Sequence, residues 1–308
     1  MPCCGSAAHT RASVEVITNA CERGILMASE SWRDLRPPSA TSGDDDGTTG
    51  YIEYFQVRQL HTLQRPVTES AYEMAFVVSS QVMELYFGLL CHELARARRE
   101  VHDDDVCAAS RTLRRSVSHL RALEGTWESY ADMTPADWNP IKARLGKGES
   151  SSVHSYMYRH MAFLLGLKSS KMLEPHRSTP LIHKGLQEAL SAPSLYDEVL
   201  ALLQRRELPL PDSVVHRDFA EPYVTRPEVE AAWVRVYREE SFAELRALGE
   251  LLTQVSEHFT LWLQRHLTVT VRTFGAKPGY YGTDAVAWLR RGLDQPVFPE
   301  LWSSRTAM

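Results

Sequence analysis

The sequence predicts an all-α protein, and three observations lead to that prediction. Apolar residues recur at alternating steps of three and four along most of residues 51 to 274, which places them on one face of successive helices. The alternation of apolar and polar residues that is typical of strands is nearly absent. No fixed-period repeat and no Gly/Ser-rich linker divides this part, so a single helical domain over 49 to 308 is the simplest architecture.

Composition limits the class of protein. The chain has 308 residues, of which 44% are hydrophobic, enough to bury a substantial core. A net charge of -5 gives no general attraction to nucleic acid or to an anionic membrane, so neither is an expected partner. The five cysteines show no CxxC pairs, and no apolar stretch approaches the roughly 20 residues of a membrane span. With no signal-peptide pattern at the start, we expect a cytoplasmic protein with reduced thiols.

The chain divides into a polar start and a helical remainder. Residues 1 to 48 are rich in Ser, Thr, Gly and Pro and include an acidic run, so we expect a disordered tail there. Apolar periodicity then predicts helices over 71–101, 106–131, 153–170, 181–191, 194–206, 227–237 and 240–274.

Local signals mark where helices begin and end. Thr134, Ser194 and Thr225 each stand three residues before a carboxylate, the spacing of a helix N-cap. Gly275 follows the last long apolar stripe and is expected to end that helix. These signals support the helix boundaries independently of the periodicity.

His266 lies on the apolar stripe of the longest predicted helix. Its neighbours on that stripe are Leu245, Leu248, Leu252, Val255, Phe259, Trp262 and Val269. A buried neutral imidazole in an apolar wall is what an axial ligand to a haem iron requires. An ordinary core histidine has the same pattern, so the stripe alone leaves both interpretations open.

Two further segments also allow two interpretations each. Ser80 interrupts an apolar stretch that begins near Phe76; its hydroxyl either bonds to the carbonyl one turn earlier or faces a ligand. The segment GAKPGYYGT, from Gly275 to Thr283, is either a plain connection between helices or a loop that closes over a small molecule.

Several segments, taken in order, resemble the tryptophan 2,3-dioxygenase family of haem proteins over residues 50 to 306. They are FQVRQLHTLQRPV, EMAFVVSSQVMELYFGLLCHEL, MTPADW, YRHMAFLLG, APSLYDEVL, FTLWLQRHLTVTVRTFGAKPG and FPELWSSRT. The resemblance implies an all-α haem-binding fold with haem b as cofactor. It also implies that His266 is the proximal ligand of the haem iron.

The resemblance is weaker where the family binds its substrate. Ser80 stands where the family usually has a distal histidine, and it would be the catalytic-side residue facing O2. Lys142 replaces the arginine that pairs with the amino-acid carboxylate, which keeps the charge but loses the bidentate fork. Trp138 replaces a tyrosine. The other pocket positions that the resemblance implies are Phe76, Ser151, Ser152, Tyr280 and Asp284.

Aromatic residues near the start of the helical part imply shared sites. Tyr51, Tyr54 and Phe55 match family residues that come from a neighbouring subunit, which implies a homotetramer; a plain packing strip is the alternative. The resemblance therefore implies a haem-dependent oxygenase that acts with O2 on tryptophan or a tryptophan derivative. The altered pocket suggests a specialised-metabolite pathway, with one or two oxygen atoms inserted. A tyrosine hydroxylase using peroxide or O2 and a non-catalytic haem-binding sensor remain the alternatives.

Overall fold

All regular structure in the described part of the chain is helical, as predicted. The computed structural model describes residues 49–145, 154–275 and 285–308, and within these ranges it contains no strand. The predicted tail, 1 to 48, lies outside the described residues.

The described residues form thirteen α-helices, joined in places by short 3-10 helices. The α-helices are α1 Gly50–Tyr54, α2 Val57–Leu60, α3 Glu73–His102, α4 Val106–Gly125, α5 Pro135–Leu145, α6 Tyr156–Leu164, α7 Pro180–Ser191, α8 Leu195–Arg205, α9 Asp212–Val215, α10 Pro227–Arg238, α11 Ala243–Phe274, α12 Ala285–Leu293 and α13 Pro299–Ser303. The 3-10 helices that matter for the site are Thr126–Tyr130 and Ser170–His176.

Two long helices form the centre of the molecule. Helix α3 packs against α4, α6 and α8, and helix α11 packs against α4 and α12. They contribute Phe87 and Trp262, two fully buried rings that meet edge to face with centroids 5.5 Å apart. Every member of the predicted α11 stripe, His266 included, is buried, because a continuous apolar face is covered only when helices pack along its whole length.

The predicted helix starts are correct at two of three positions. Ser194 and Asp197 form a reciprocal capping box, and Thr134 exchanges the same kind of bonds with Asp137. At the third position the prediction was wrong, because the cap residue of α10 is Arg226 and not Thr225. Pro227 occupies the first turn, where its missing N–H costs nothing, so no hydroxyl cap is needed.

The helix predicted over 153–170 is shorter in the structure. It ends at Leu164, because Gly166 adopts a φ of +92°, a left-handed conformation that suits glycine. Beyond it, the buried ammonium of Lys168 donates to the carbonyls of Ala189, Leu190 and Ala192 at the end of α7. The end of the long helix at Gly275 was predicted correctly; its amide donates to the Val271 carbonyl.

Helix α3 carries an apolar face that the described part of the chain leaves uncovered. Its outer face consists of Met74, Val78 and Leu85, which are 48%, 40% and 66% exposed. By length and composition α3 is apolar enough to cross a membrane, but core helices of globular proteins meet the same criterion. Because its other face lies in the main hydrophobic core, α3 is a core helix with an uncovered side.

Candidate functional site

A large cavity lies between α3, α5, α6, α11, α12 and the two 3-10 helices. Its volume is about 1630 Å³, larger than the roughly 300–1,000 Å³ of an ordinary small-molecule pocket. It has room for more than one bound group. Among the residues that line it are Phe76, Ser80, Trp127, Trp138, Lys142 and His266.

One side of the cavity is built around His266. This imidazole wall consists of Trp127, Leu263, His266 and Val269. His266 is only 7% exposed, and burial lowers the pKa of its imidazole to about 3. The ring is therefore neutral at physiological pH and has a lone pair to offer.

Aromatic packing sets the orientation of the His266 ring. Trp127 stacks on it with centroids 4.5 Å apart and an interplanar angle of 25°, and Trp262 contacts it at 5.5 Å. The Nδ1 atom is fully enclosed and has no hydrogen-bond partner among the described residues. With the proton on Nδ1, the Nε2 atom is the nitrogen that can present its lone pair to the cavity.

The imidazole wall fits the axial side of a haem. The group needs one neutral nitrogen donor and an apolar slot, and His266 with its surroundings offers both. Nowhere in the described ranges do three or more His, Cys, Asp or Glu side chains cluster in a way that could hold a bare metal ion. A lone imidazole suits a metal whose other ligands come from a macrocycle.

A second wall of the cavity is aromatic and adjoins the first, since Tyr130 contacts Trp127 with ring centroids 5.8 Å apart. This aromatic wall consists of Phe76, Tyr130, Trp138 and Phe274. The Phe76 ring lies 5.1 Å from Trp138 and 5.7 Å from Tyr130, both edge to face, and Trp138 contacts Phe274 at 4.6 Å. Such a wall can pack against the face of an aromatic ligand.

Ser80 borders the cavity from α3, one turn beyond Phe76. Its hydroxyl donates to the Phe76 carbonyl at 2.8 Å, the local bond that serine often makes inside a helix. The proton of this hydroxyl is therefore engaged, while the lone pairs of its oxygen can still accept a hydrogen bond. Ser80 can therefore accept a hydrogen bond from a ligand, but its own proton is already used within α3.

Lys142 lies on α5 and borders the same cavity as Phe76 and Trp138. Its side chain is partly buried, and none of the ion pairs among the described residues involves it. An ammonium group without a carboxylate partner at the edge of an apolar pocket can bind an anionic ligand group.

Tyr51, Tyr54 and Phe55 do not reach the cavity of their own chain. They are 68%, 81% and 57% exposed. The chain that follows them is anchored next to Ser80, because Gln64 donates to the Gln81 side-chain oxygen at 2.7 Å. The three rings stand at the surface, where a second chain could bury them.

Four predicted pocket residues lie outside the described residues. They are Ser151, Ser152, Tyr280 and Asp284. Their assignment to the pocket stays a prediction.

Sequence reasoning missed several residues that the fold brings to the cavity. Trp127 lies near the end of the helix predicted over 106–131, in the 3-10 helix that follows α4, and it packs on His266 from a distant part of the chain. Tyr158 and Arg159 lie in the first turn of α6, and both border the cavity. A buried arginine early in an apolar helix was a detectable signal, since such residues need a partner.

Comparisons with known proteins agree with this architecture. The family model described as tryptophan 2,3-dioxygenase matches residues 39–238 and 234–308. A tryptophan 2,3-dioxygenase of Polaromonas sp. is 39% identical over 83% of this chain and 87% of its own length. Those of Caulobacter vibrioides and Cupriavidus necator are 37% and 36% identical, over 84% and 93% of this chain and 98% and 95% of their own lengths.

Proposed function

The chain belongs to the tryptophan 2,3-dioxygenase family, and from this we propose that it oxidises the aromatic ring of tryptophan or a tryptophan derivative with O2. As a member of the family it is a haem-dependent oxidoreductase of the dioxygenase type, and its cofactor is haem b. The observation that carries the proposal is the neutral, buried His266 imidazole, which borders a cavity large enough for both haem and substrate.

We assign the proximal haem position to His266. When bound, haem supplies the iron at which O2 is activated. The protein's part is to present Nε2 in a fixed orientation, which the Trp127 stack provides, and to keep water from the apolar slot.

The substrate would lie between the imidazole wall and the aromatic wall. Phe76 and Trp138 would pack against its ring, and Lys142 would pair with its carboxylate. Ser80 would act as a hydrogen-bond acceptor on the O2 side, since its proton is engaged by the Phe76 carbonyl. Ser151, Ser152, Tyr280 and Asp284 complete the proposed pocket, with Asp284 as the partner of the substrate ammonium.

The finer proposal is a substituted tryptophan in a specialised-metabolite pathway. It is supported by the unusual substrate side: lysine carries the positive charge, and the Trp138 indole replaces a smaller polar ring. Its Nε1 is buried without a partner among the described residues, a donor that a substituent on the substrate could engage. One oxygen atom or two could be inserted, and the product mass distinguishes these outcomes.

We also propose that the protein is a cytoplasmic homotetramer with sites shared between subunits. The support is the pair of uncovered apolar surfaces, Tyr51, Tyr54 and Phe55 on one side and the outer face of α3 on the other. Exposed apolar surface of this kind is typical of subunit contacts. Analytical ultracentrifugation tests the assembly; a monomer at micromolar concentration would contradict it.

The test of the function is product analysis with purified holoenzyme. Tryptophan, substituted tryptophans and tyrosine are incubated separately with O2 and reductant, and then with peroxide. Two added oxygen atoms on a tryptophan support dioxygenation, and one supports a hydroxylase. Turnover of tyrosine alone would replace the proposal with a tyrosine hydroxylase. A Soret band without turnover of any substrate would favour a haem-binding sensor.

A further inference from the structure

Arg159 is a buried cation without a counterion among the described residues. It is the fourth residue of α6, borders the cavity and is only 7% exposed. No carboxylate among the described residues lies within ion-pairing distance of it, and burial lowers the pKa of its guanidinium to about 10. A buried guanidinium remains charged at neutral pH, and buried charges in proteins are normally paired.

The hydrogen bonds of Arg159 leave one edge of the guanidinium unused. Nη1 donates to the Met172 carbonyl. Nε is fully enclosed and has no partner, and no hydrogen bond involves Nη2 among the described residues. The Nε and Nη2 edge is the fork that binds a carboxylate through two parallel bonds.

Two imidazoles accompany Arg159 at the cavity. His154 and His176 border the same part of the cavity, and burial together with the charge of Arg159 lowers the pKa of both imidazoles. His176 Nε2 is a second enclosed atom that has no hydrogen-bond partner in the described part of the chain. Glu174, the neighbouring carboxylate in the chain, is exposed and pairs with Arg177 at 2.7 Å. Nothing in the described part of this region neutralises Arg159.

We propose that Arg159 and His176, with His154 beside them, form a binding site for a carboxylate group at one end of the cavity. The guanidinium fork binds the two carboxylate oxygens, and His176 donates or accepts at its edge according to its tautomer. Lys142 borders the same cavity from a different helix, α5.

Two sources could supply the carboxylate. One is a propionate of haem, and this alternative depends on the proposed function. The other is a free small carboxylate that enters the cavity beside the haem, which does not depend on it. Both place the same chemistry against Arg159, so the experiment needs an arm for each.

The experiment compares three variants with the wild-type holoenzyme. Arg159→Gln removes the charge, and Arg159→Lys keeps it while removing the fork. Arg177→Gln is the matched control, because it removes an exposed arginine next to His176. The first readout is the rate at which haem, or haem dimethyl ester, is lost to excess apomyoglobin. The second is the unfolding temperature in acetate against chloride at equal ionic strength.

Either of two results supports the site. A propionate at the site predicts about tenfold faster loss of haem from Arg159→Gln, with a smaller increase for Arg159→Lys. The rate at which Arg159→Gln loses the dimethyl ester and the rate at which Arg177→Gln loses haem should both equal the wild-type rates. A free carboxylate at the site predicts that acetate raises the wild-type unfolding temperature by about 2–4 °C, and that Arg159→Gln abolishes the rise.

Two results would overturn the proposal. One is equal acceleration of haem and dimethyl ester loss, which indicates a purely structural role for Arg159. The other is no effect in either arm. If Arg159→Gln does not fold, Arg159→Lys decides alone, and wild-type values in both arms count against the site. A wild-type protein without a Soret band contradicts the proposed function instead, and the acetate arm still tests the site.

Discussion

The two walls of the cavity are built in different ways. The imidazole wall stands mainly on α11, a 32-residue helix whose apolar stripe is buried along its length. The aromatic wall takes one side chain from each of four elements: Phe76 from α3, Tyr130 from the 3-10 helix Thr126–Tyr130, Trp138 from α5 and Phe274 from the end of α11. His266, which we assign to the haem, therefore lies on a helix whose apolar face is packed along its whole length. The side chains assigned to the substrate stand on two separate helices, Phe76 on α3 and Trp138 and Lys142 on the short α5, and Trp138 packs into the main hydrophobic core.

The largest effect is expected from removing His266. His266→Ala takes away the proposed axial nitrogen. Loss of a residue that only supports a metal ligand lowers metal affinity by at most about a hundredfold, so loss of the ligand itself should lower haem affinity by more than that. The matched control is His258→Gln on the same helix, because His258 faces Glu124 and Arg121 outside the cavity. The measurement is haem titration followed at the Soret band. An unchanged spectrum in His266→Ala would remove the ligand assignment.

A smaller effect is expected from removing the charge of Lys142, which we assign to the substrate. Lys142→Met should raise KM for the amino-acid substrate roughly 10- to 100-fold, the loss of one charge-assisted hydrogen bond of about 1.5–3 kcal/mol. The haem spectrum should not change. Arg144→Met, an exposed cation on the same helix, is the control. Steady-state kinetics check this; a normal KM in Lys142→Met would exclude Lys142 from the carboxylate site.

The free energy of unfolding should also depend on pH, through a histidine on the helix that supports the imidazole wall. His160 lies on α6, which supports the imidazole wall through the contact of Tyr158 with Trp262, whereas α5 contains no histidine. Burial lowers the pKa of His160 to about 4, so between pH 6.5 and 4 only the unfolded state binds its proton. The free energy of unfolding should therefore decrease as the pH falls through this range, by at most about 1.4 kcal/mol per pH unit for this group.

The acid effect is measured by urea unfolding at several pH values. Between pH 6.5 and 4, the free energy of unfolding of His160→Gln should depend less steeply on pH than that of the wild type, by at most about 1.4 kcal/mol per pH unit. A variant as acid-sensitive as the wild type would show that His160 is accessible to protons in the native state.

The smallest effect is expected at Ser80. Because its proton is engaged by the Phe76 carbonyl, Ser80→Ala should lower kcat by about tenfold or less. The free energy of unfolding of this variant should lie within about 0.5 kcal/mol of the wild-type value, since alanine suits a helix interior. Stopped-flow and denaturation measurements check both values. A loss of kcat above about a hundredfold would mean that the hydroxyl proton is transferred during the reaction.

Much of the fold could be predicted because it is encoded locally. The stripe through His266 placed every one of its members in the core, and the caps at Thr134 and Ser194 formed as their spacing indicates. The errors were also local. Gly166 ended α6 before the apolar pattern did, and Pro227 made a hydroxyl cap unnecessary at α10.

The candidate site was less predictable, because its geometry depends on residues far apart in the chain. Periodicity turned His266 inward but could not show that Trp127 stacks on its ring. The resemblance pointed to Lys142 and Trp138, and the structure brought both to one cavity. Neither approach indicated that Arg159 lies at the same cavity without a carboxylate, since that depends on what every neighbouring element places around it.

By itself, the sequence determined the helical class, the position of most helices and the inward face that carries His266. These follow from side-chain periodicity and capping chemistry, which act over a few residues. Only the tertiary structure decided which nitrogen of His266 can face the cavity, that the Ser80 proton is engaged, and that none of the described carboxylates pairs with Arg159. Such properties depend on distances between helices, and local sequence patterns do not specify the path by which the chain brings those helices together.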